Sequence, residues 1–447
     1  MHMPQHRTKT LIVGLGKTGL SVAHFLARQG MDVAVTDSRE RPPGLQKLHD
    51  TVPGAAVFVG GFSETALAHS DQVVLSPGVA VSAPFVARAR ALGLPVFGDI
   101  ELFARRAHAP VIGVTGSNGK STVTTLVGLM AERAGVEARV GGNLGTPALD
   151  LIGETEPQLY VLELSSFQLE VTVSLQCTAA VVLNISPDHM DRYATLADYA
   201  SAKARIFAHC DVAVINRGDE RVRKMIQPGH KHVSFGLDAP AGRDYGIVLH
   251  ERKRWLARGH EKLLAADEVH IRGEHNWANA LAALALGEAA GLPMPAMLNA
   301  LREFRGLPHR MEHVATLNDV DWYNDSKATN VGATLAAVSG LPGPLVLIAG
   351  GDGKNQDFAP LAEALSGKTR AVVLLGKDAP AIEQAIASRL TFERVKDMDA
   401  AVKVAAKFAR PGDLVLLSPA CSSLDMFDNF EHRGRVFAHA VRRLADG

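Results

Sequence analysis

The chain has 447 residues, of which 47% are hydrophobic and 21% are charged, and its 47 basic residues balance 47 acidic ones. At roughly 150 residues per domain, this length predicts three domains. The balanced charge excludes a general electrostatic attraction to nucleic acid or to a membrane surface, so we expect neither as a partner.

The first residues and the cysteines of the sequence indicate the cellular compartment of the protein. Residues 1–10 are polar and lack the pattern of a signal peptide, and no apolar run approaches the roughly 18 residues that span a bilayer. Three widely separated cysteines, Cys177, Cys210 and Cys421, are typical of small core residues in a reducing environment. We therefore expect a cytoplasmic protein.

The first predicted unit begins with a strand, a glycine turn and a helix. Residues 10–13 form a predicted strand with three apolar residues, residues 14–19 contain three glycines in the spacing of a dinucleotide-binding turn, and a second strand ends at Asp37. Another glycine turn, at residues 76–79, follows a strand at 72–75. Because such turns bring the backbone close to a diphosphate whichever nucleotide carries it, NAD and a UDP-sugar both remain open as ligands.

The most specific motif is Thr-Gly-Ser-Asn-Gly-Lys-Ser-Thr at residues 115–122, between an apolar strand at 110–114 and a predicted helix at 123–130. Backbone N–H groups of such a turn, together with the positive end of the helix dipole, hold a polyphosphate. Lys120 adds a point charge and Ser121 is a predicted magnesium ligand. Val114 replaces the usual first glycine, so this is a variant phosphate loop, and we predict that the protein uses ATP.

Three further residues are candidates for metal chemistry. Glu163 directly follows the apolar strand at 159–162, where a carboxylate needs a cation or a hydrogen-bond network. His189 lies in the polar loop after the next strand and is either a ligand or a structural loop residue. Lys203 interrupts the apolar stripe of a predicted helix at 198–209, so it either snorkels to solvent or is buried with a lowered pKa. A buried neutral amine can take up CO2 as a carbamate.

The third unit repeats the alternation of strand and helix. Residues 345–349, 371–375 and 414–418 are predicted buried parallel strands, and residues 324–330 form a loop rich in polar and charged groups. Residues 234–270 have no clean period and no assignment. We predict an α/β protein with a Rossmann-like domain at 1–98, a central domain of the phosphate-loop ATPase type at 99–306 and a Rossmann-like domain at 307–447.

Taken together, these motifs resemble the Mur ligase family, in chain order over nearly the whole sequence. Some are shared across the family, whereas residues 324–330 and 418–425 resemble the family members that add D-glutamate. The segments that carry the resemblance are residues 14–19, 115–122, 162–170, 187–193, 202–206, 324–330, 418–425 and Phe430.

The resemblance implies an amide ligase. ATP would phosphorylate the carboxylate of UDP-N-acetylmuramoyl-L-alanine, and the amine of D-glutamate would attack the acyl phosphate. It also implies two Mg²⁺ ions, a carbamylated Lys203 and a monomer. The implied catalytic residues are Lys120, Glu163, His189 and Lys203, and the implied metal ligands are Ser121, Glu163, His189 and Lys203.

The resemblance assigns the remaining site residues in three groups. Those for ATP are Gly116, Ser117, Asn118, Gly119, Lys120, Ser121, Thr122, Asn279, Arg310, Asp325 and Lys327. Those for the UDP-sugar are Thr18, Asp37, Ser38, Arg39, Ser76, Gly78 and Asn143. Those for D-glutamate are Lys327, Thr329, Lys354, Ser423 and Phe430.

Three other functions compete with this interpretation. A folylpolyglutamate synthase shares the phosphate loop and the amide chemistry but should lack a UDP-binding first unit. An NAD-dependent oxidoreductase fits the first glycine turn but leaves residues 119–121 without a role. A nucleotide-binding switch does not require the candidate metal ligands.

Overall fold

The computed structural model describes residues 8–271, 273–341 and 343–445. Three β-sheets, of five, nine and six strands, follow one another along the chain, and helices connect most of the strands. The predicted α/β class is confirmed. Within the described ranges, no helix combines the length and the apolar character needed to cross a bilayer.

The first sheet is parallel. Its strands are β1 (Lys9–Val13), β2 (Asp32–Asp37), β3 (Ala56–Val59), β4 (Gln72–Leu75) and β5 (Val96–Phe97), and its helices are α1 (Lys17–Arg28), α2 (Leu45–Thr51), α3 (Glu64–Ala68) and α4 (Pro84–Ala91). The strand order is β3-β2-β1-β4-β5, so the winding direction reverses between β1 and β4. Ligands of open parallel sheets bind at such a reversal, and both predicted glycine turns lie there.

The second sheet contains the phosphate loop. Its strands are β6 (Val111–Thr115), β7 (Ala138–Gly142), β8 (Leu159–Glu163), β9 (Cys177–Val182), β10 (Cys210–Asn216), β11 (His232–Phe235), β12 (Tyr245–His250), β13 (Lys253–Arg258) and β14 (Glu261–Ala265). The helices in this part of the chain are α5 (Asp99–Ala104), α6 (Lys120–Arg133), α7 (Ser166–Leu169), α8 (Leu196–Ala204), α9 (Glu220–Arg223), α10 (Glu274–Ala289) and α11 (Met294–Glu303).

The strand order of the second sheet is β14-β13-β12-β11-β10-β9-β6-β8-β7. Strands β6 to β12 run parallel, whereas β12, β13 and β14 form an antiparallel edge. That edge accounts for most of the segment at 234–270 that the sequence left unassigned. Helix α8 is shorter than predicted, because it passes into a 3₁₀ turn at Arg205–Phe207.

The third sheet is parallel except at one edge. Its strands are β15 (Glu312–Leu317), β16 (Val320–Asn324), β17 (Leu345–Ala349), β18 (Thr369–Leu374), β19 (Phe392–Arg394) and β20 (Leu414–Leu417). The helices are α12 (Val331–Ser339), α13 (Ala359–Leu365), α14 (Ala379–Ile386), α15 (Met398–Phe408) and α16 (Phe430–Ala445). The order is β15-β16-β20-β17-β18-β19, with β15 and β16 antiparallel.

Burial explains why the central strands form. Every residue of β6, β8 and β17 is buried, which is typical of a parallel strand covered by helices on both faces. Their carboxyl ends therefore project loops from one edge of each sheet, and those edges carry the candidate site residues.

Candidate active site

The phosphate loop has the backbone of an anion cradle. It joins β6 to α6, and Gly116 and Gly119 have φ angles of +147° and +88°, which favour glycine. The Lys120 ammonium donates to the carbonyl oxygens of Gly116 and Ser117 at 2.9 and 2.8 Å. A Cβ atom on Gly119 would lie 2.4 Å from Oδ1 of Asn279, so this asparagine reaches the loop.

Glu163 ends β8 beside this loop and is 2% exposed. Its Oε1 accepts a hydrogen bond of 2.8 Å from the side-chain amide of Asn143, while Oε2 is buried without a partner among the described residues. Burial favours the neutral acid, but the charge of Lys120 and the hydrogen bond from Asn143 lower the pKa of Glu163 below its usual range. A buried, ionised carboxylate with one free oxygen fits a cation ligand.

His189 lies in the loop after β9 and has a strained backbone with φ of +58°. Its ring packs edge-on against Phe167, with 4.8 Å between the ring centroids. Burial lowers the pKa of His189 to about 4 against the opposing charge of Asp188, and the neighbouring lysines add to the lowering. The imidazole is therefore neutral at pH 7, as a metal ligand must be.

Lys203 is buried on α8, at 2% exposure, which excludes the snorkelling alternative. Its ammonium nitrogen lies 3.4 Å from Oγ1 of Thr115 and 4.6 Å from the ring centroid of Tyr199. Burial, reinforced by the charge of Lys120, lowers the pKa of Lys203 well below its usual value. The lowered pKa favours the neutral amine, which is the form that carbamate formation requires.

The candidate ligands do not form a conventional cluster of acidic, histidine or cysteine residues. Among the described residues, no group of three or more such side chains is placed to hold a metal ion. A metal site here would need the Ser121 hydroxyl and a modified Lys203 beside Glu163 and His189. The free oxygen of Glu163 and the neutral imidazole of His189 are compatible with that ligand set.

A cleft between the second and third sheets gathers five of the eleven candidate ATP residues. Gly119, Thr122, Asn279, Arg310 and Asp325 all line it. Asp325 is buried and accepts a hydrogen bond of 2.9 Å from the Ser418 hydroxyl, and burial raises its pKa to about 7. The charge of Arg310 opposes that rise.

The remaining loop residues have structural partners. The backbone N–H of Asn118 donates to the side chain of Asn184 at 2.9 Å, and the Ser117 hydroxyl donates to the carbonyl of Ser186 at 3.0 Å. Ser121 is buried at 3% exposure, at the beginning of α6. These contacts fix the loop against the segment that follows β9.

All seven candidate UDP-sugar residues line one cavity of about 720 Å³ between the first and second sheets. Asp37 accepts hydrogen bonds from the backbone of Leu15 at 2.7 Å and from the Arg39 guanidinium at 2.9 and 2.7 Å. Although burial opposes ionisation, these partners lower the pKa of Asp37 to about 2. The residues brought together are Thr18, Asp37, Ser38, Arg39, Ser76, Gly78 and Asn143.

The candidate D-glutamate residues are held by contacts of different kinds. The Lys327 ammonium lies 3.7 Å from the ring centroid of Phe430, and burial lowers the pKa of Lys327 to about 8. Lys354 instead forms an ion pair with Asp188. Thr329 is half-buried, and Ser423 is 3% exposed.

Two residues that sequence reasoning passed over connect the second and third sheets. Asp188 is 5% exposed and pairs with Lys354. The side-chain amide of Asn330 donates to Asp188 and to Asn118, both at 3.1 Å. Asp188 precedes the candidate ligand His189 in the loop after a buried strand. This position in the sequence was the only indication that Asp188 belongs to the site.

Comparison with known proteins identifies the family. Residues 8–98 match the Mur ligase MurD-like N-terminal domain, residues 114–287 the Mur ligase middle domain, and residues 309–421 the Mur ligase glutamate ligase domain. A protein from Nitrosococcus oceani named UDP-N-acetylmuramoylalanine–D-glutamate ligase is 55% identical, over 99% of this chain and 98% of its own length. The chain belongs to the Mur ligase family. The resemblance indicated by the motifs is confirmed.

Other relatives of this Mur ligase agree. A Pseudomonas aeruginosa protein with the same name is 52% identical, over 97% of this chain and 98% of its own length. Among solved structures, UDP-N-acetylmuramate-alanine ligase from Thermotoga maritima superposes with a TM-score of 0.63 at 20% identity, covering 99% of this chain and 100% of that one. A MurF ligase from T. maritima in complex with ADP has a TM-score of 0.61 at 16% identity, covering 98% of this chain and 96% of that one. These two structures support the fold.

Proposed function

We propose that this Mur ligase adds D-glutamate to UDP-N-acetylmuramoyl-L-alanine at the expense of ATP, in the synthesis of peptidoglycan precursors in the cytoplasm. Relatives that are 51% to 55% identical over almost the whole chain carry the name of that activity. The proposed domains, 1–98, 99–306 and 307–447, would bind the UDP-sugar, ATP and the amino acid respectively. Each of these ranges contains one of the three sheets.

The observation that carries the proposal is the continuity between two sites. Asn143 lines the UDP-sugar cavity and also donates to Glu163, whose pKa is lowered by Lys120 of the phosphate loop. An acceptor bound in that cavity can therefore present its terminal carboxylate to the γ-phosphate of ATP. The oxidoreductase and folylpolyglutamate alternatives have no such support, because the first domain matches a Mur ligase domain.

The first chemical step makes a carboxylate reactive. One carboxylate oxygen of the acceptor attacks the γ-phosphorus, the bond between that phosphorus and the bridging oxygen of ATP breaks, and ADP leaves with an acyl phosphate formed. Backbone N–H groups of residues 116–122 and the Lys120 ammonium hold the phosphates and stabilise their charge. Burial of Glu163 and Lys203 limits the access of water to the acyl phosphate.

Magnesium would be held by Ser121, Glu163, His189 and the carbamate of Lys203, and when bound it would neutralise charge on the transferring phosphoryl group. The neutral amine of Lys203 adds to CO2 and loses one proton, which gives an anionic oxygen ligand. The lowered pKa of Lys203 supports that modification.

The second step forms the amide. The ammonium group of D-glutamate first loses one proton to solvent. Its amine nitrogen then attacks the acyl carbon, a C–N bond forms, the C–O bond to phosphate breaks, and the nitrogen gives a second proton to the departing phosphate. The two carboxylates of D-glutamate require cations and hydrogen-bond donors, which the proposed binding residues supply: Lys327, Thr329, Lys354, Ser423 and, as a ring contact, Phe430.

The proposal is tested by measuring phosphate release from ATP. Release should require both UDP-N-acetylmuramoyl-L-alanine and D-glutamate, and Lys120→Met should abolish it, because the phosphate loop loses its charge while the side chain keeps a similar length. Equal turnover with L-glutamate, L-lysine or meso-diaminopimelate would contradict the assignment of the amino acid.

A further inference from the structure

The proposed amino-acid site has an incomplete set of charges. D-Glutamate carries two carboxylates and one ammonium group at neutral pH. The proposed residues Lys327 and Lys354 complement the carboxylates, but no member of the set is an anion that would receive the ammonium. Since the ammonium nitrogen is the reacting atom, the group that holds it also aims the nucleophile.

One carboxylate lies in a suitable place. Glu431 belongs to the first turn of α16, directly after Phe430, whose ring contacts the Lys327 ammonium. Although it comes from the third domain, Glu431 lines the cavity of the UDP-sugar candidates together with Gln168 and Asn143. Its charge acts on Lys327 and raises the pKa of that lysine, against the larger effect of burial. Glu431 therefore lies where the proposed amino-acid site meets the acceptor cavity.

The neighbouring carboxylates have other partners or other proposed roles. Glu163 accepts a hydrogen bond from Asn143 on one oxygen and offers the other to the proposed magnesium. Asp188 is paired with Lys354, and Asp325 accepts from the Ser418 hydroxyl. Glu431, in contrast, is half-buried and has no hydrogen bond or ion pair with any described residue. Its charge is therefore available to a ligand.

We propose that Glu431 binds the ammonium group of the incoming amino acid and so positions its nitrogen, which attacks the acyl carbon after one proton has passed to solvent. This inference rests on the proposed function. The contact makes the site select amino acids over dicarboxylic acids of the same length, because a diacid without the amine gains nothing from Glu431. It also places the amine at the junction with the cavity, where the acceptor carboxylate is activated.

The experiment compares Glu431→Gln with the wild-type enzyme and with Glu393→Gln. Gln keeps the shape of the side chain and removes its charge. Glu393 is exposed on β19 of the same domain, away from the site residues, and controls for the loss of one negative charge. Three quantities are measured for each protein: the KM for D-glutamate, the inhibition constant of glutarate, which lacks the amine, and the ADP burst with acceptor and no amino acid.

In Glu431→Gln, we expect the KM for D-glutamate to rise about tenfold to a hundredfold, the range for losing a charge-assisted hydrogen bond. The glutarate constant and the ADP burst should stay within about twofold of wild type, since neither involves the ammonium. Glu393→Gln should match wild type in all three measurements.

The inference is overturned if the KM for D-glutamate is unchanged in Glu431→Gln. It is also overturned if the glutarate constant or the ADP burst worsens by the same factor as that KM, because Glu431 would then shape the site in general. Failure of the proposed function is distinguishable from both results. In that case the wild-type enzyme itself would show no ADP burst with UDP-N-acetylmuramoyl-L-alanine.

Discussion

Replacing Gly119 by alanine should damage the nucleotide site in two separable ways. The residue has φ of +88°, a conformation that L-residues adopt at a cost of about 1–2 kcal/mol. The new Cβ atom would also lie 2.4 Å from Oδ1 of Asn279, about 1 Å closer than ordinary contact. The asparagine cannot yield freely, because its amide donates to Asn276 at 3.2 Å.

Gly135→Ala provides the matched control. Gly135 follows the same helix, α6, and has φ of +71°, but a Cβ atom there would meet nothing within 4 Å. This variant therefore carries the backbone strain without the steric clash. Subtracting its effect from that of Gly119→Ala leaves the effect of the steric contacts, of which the contact with Asn279 is the shortest.

Both variants should melt at a lower temperature than wild type, by about 2–4 °C for each kcal/mol of strain. Only Gly119→Ala should also lose nucleotide affinity, by at least about tenfold, because the proposed ATP contact of Asn279 moves out of place. Calorimetric titration with Mg²⁺ and a non-hydrolysable ATP analogue measures this affinity, and scanning fluorimetry measures the melting temperature. If Gly119→Ala binds the analogue as tightly as Gly135→Ala, the reasoning about Asn279 is refuted.

Three further predictions concern other parts of the site. Lys203→Ala should abolish turnover, and short carboxylic acids should partly restore it by replacing the carbamate; full activity of the unsupplemented variant would exclude the modification. Burial raises the pKa of Asp99 to about 6 from an ordinary 3.8, so the folded state binds more protons and its stability falls as the pH rises from about 4 through 6. Asp99→Asn removes this dependence. Between pH 4 and pH 7.5, its free energy of unfolding in urea should rise relative to that of wild type by up to about 3 kcal/mol, whereas a difference that does not change with pH would exclude the raised pKa of Asp99. Asn330→Asp keeps the oxygen acceptor that caps α12 but places a second carboxylate against that of Asp188. Repulsion between them should increase the radius of gyration in X-ray scattering and lower kcat. Unchanged scattering would show that this contact does not hold the domains together.

The phosphate loop and the strands around it could be predicted because their signals are local. A run of apolar residues followed by glycines specifies a buried strand and a turn within about ten residues, whatever the rest of the chain does. Glu163 was recognisable for the same reason, since a carboxylate directly after a buried strand needs a partner. The structure shows that carboxylate buried, with one free oxygen.

Other features lacked such a signal. Strands β12 and β13 form an edge in which only part of each strand is buried, so neither alternation nor a continuous apolar run marks them. For Lys203, the apolar stripe of the helix did not decide between snorkelling and burial. The choice depends on how the side chain packs against Thr115 of β6 and against the ring of Tyr199. His189 was undecided for the same reason, since its pKa follows from burial against residues of other elements.

The contacts between domains were the least predictable and have the largest consequence for function. Asn330 meets Asp188 across 142 residues of chain, and Glu431 reaches a cavity built mainly by the first two domains. In the proposed site, an amino acid bound by Lys327 and Glu431 would therefore face the acceptor only in this domain arrangement. Suppose that docking of the third domain raises the affinity for the amino acid by some factor. By thermodynamic linkage, the bound amino acid then raises the equilibrium constant for docking by the same factor. Weakening the Asn330 contact should then raise the KM for D-glutamate while leaving the affinity for the UDP-sugar unchanged.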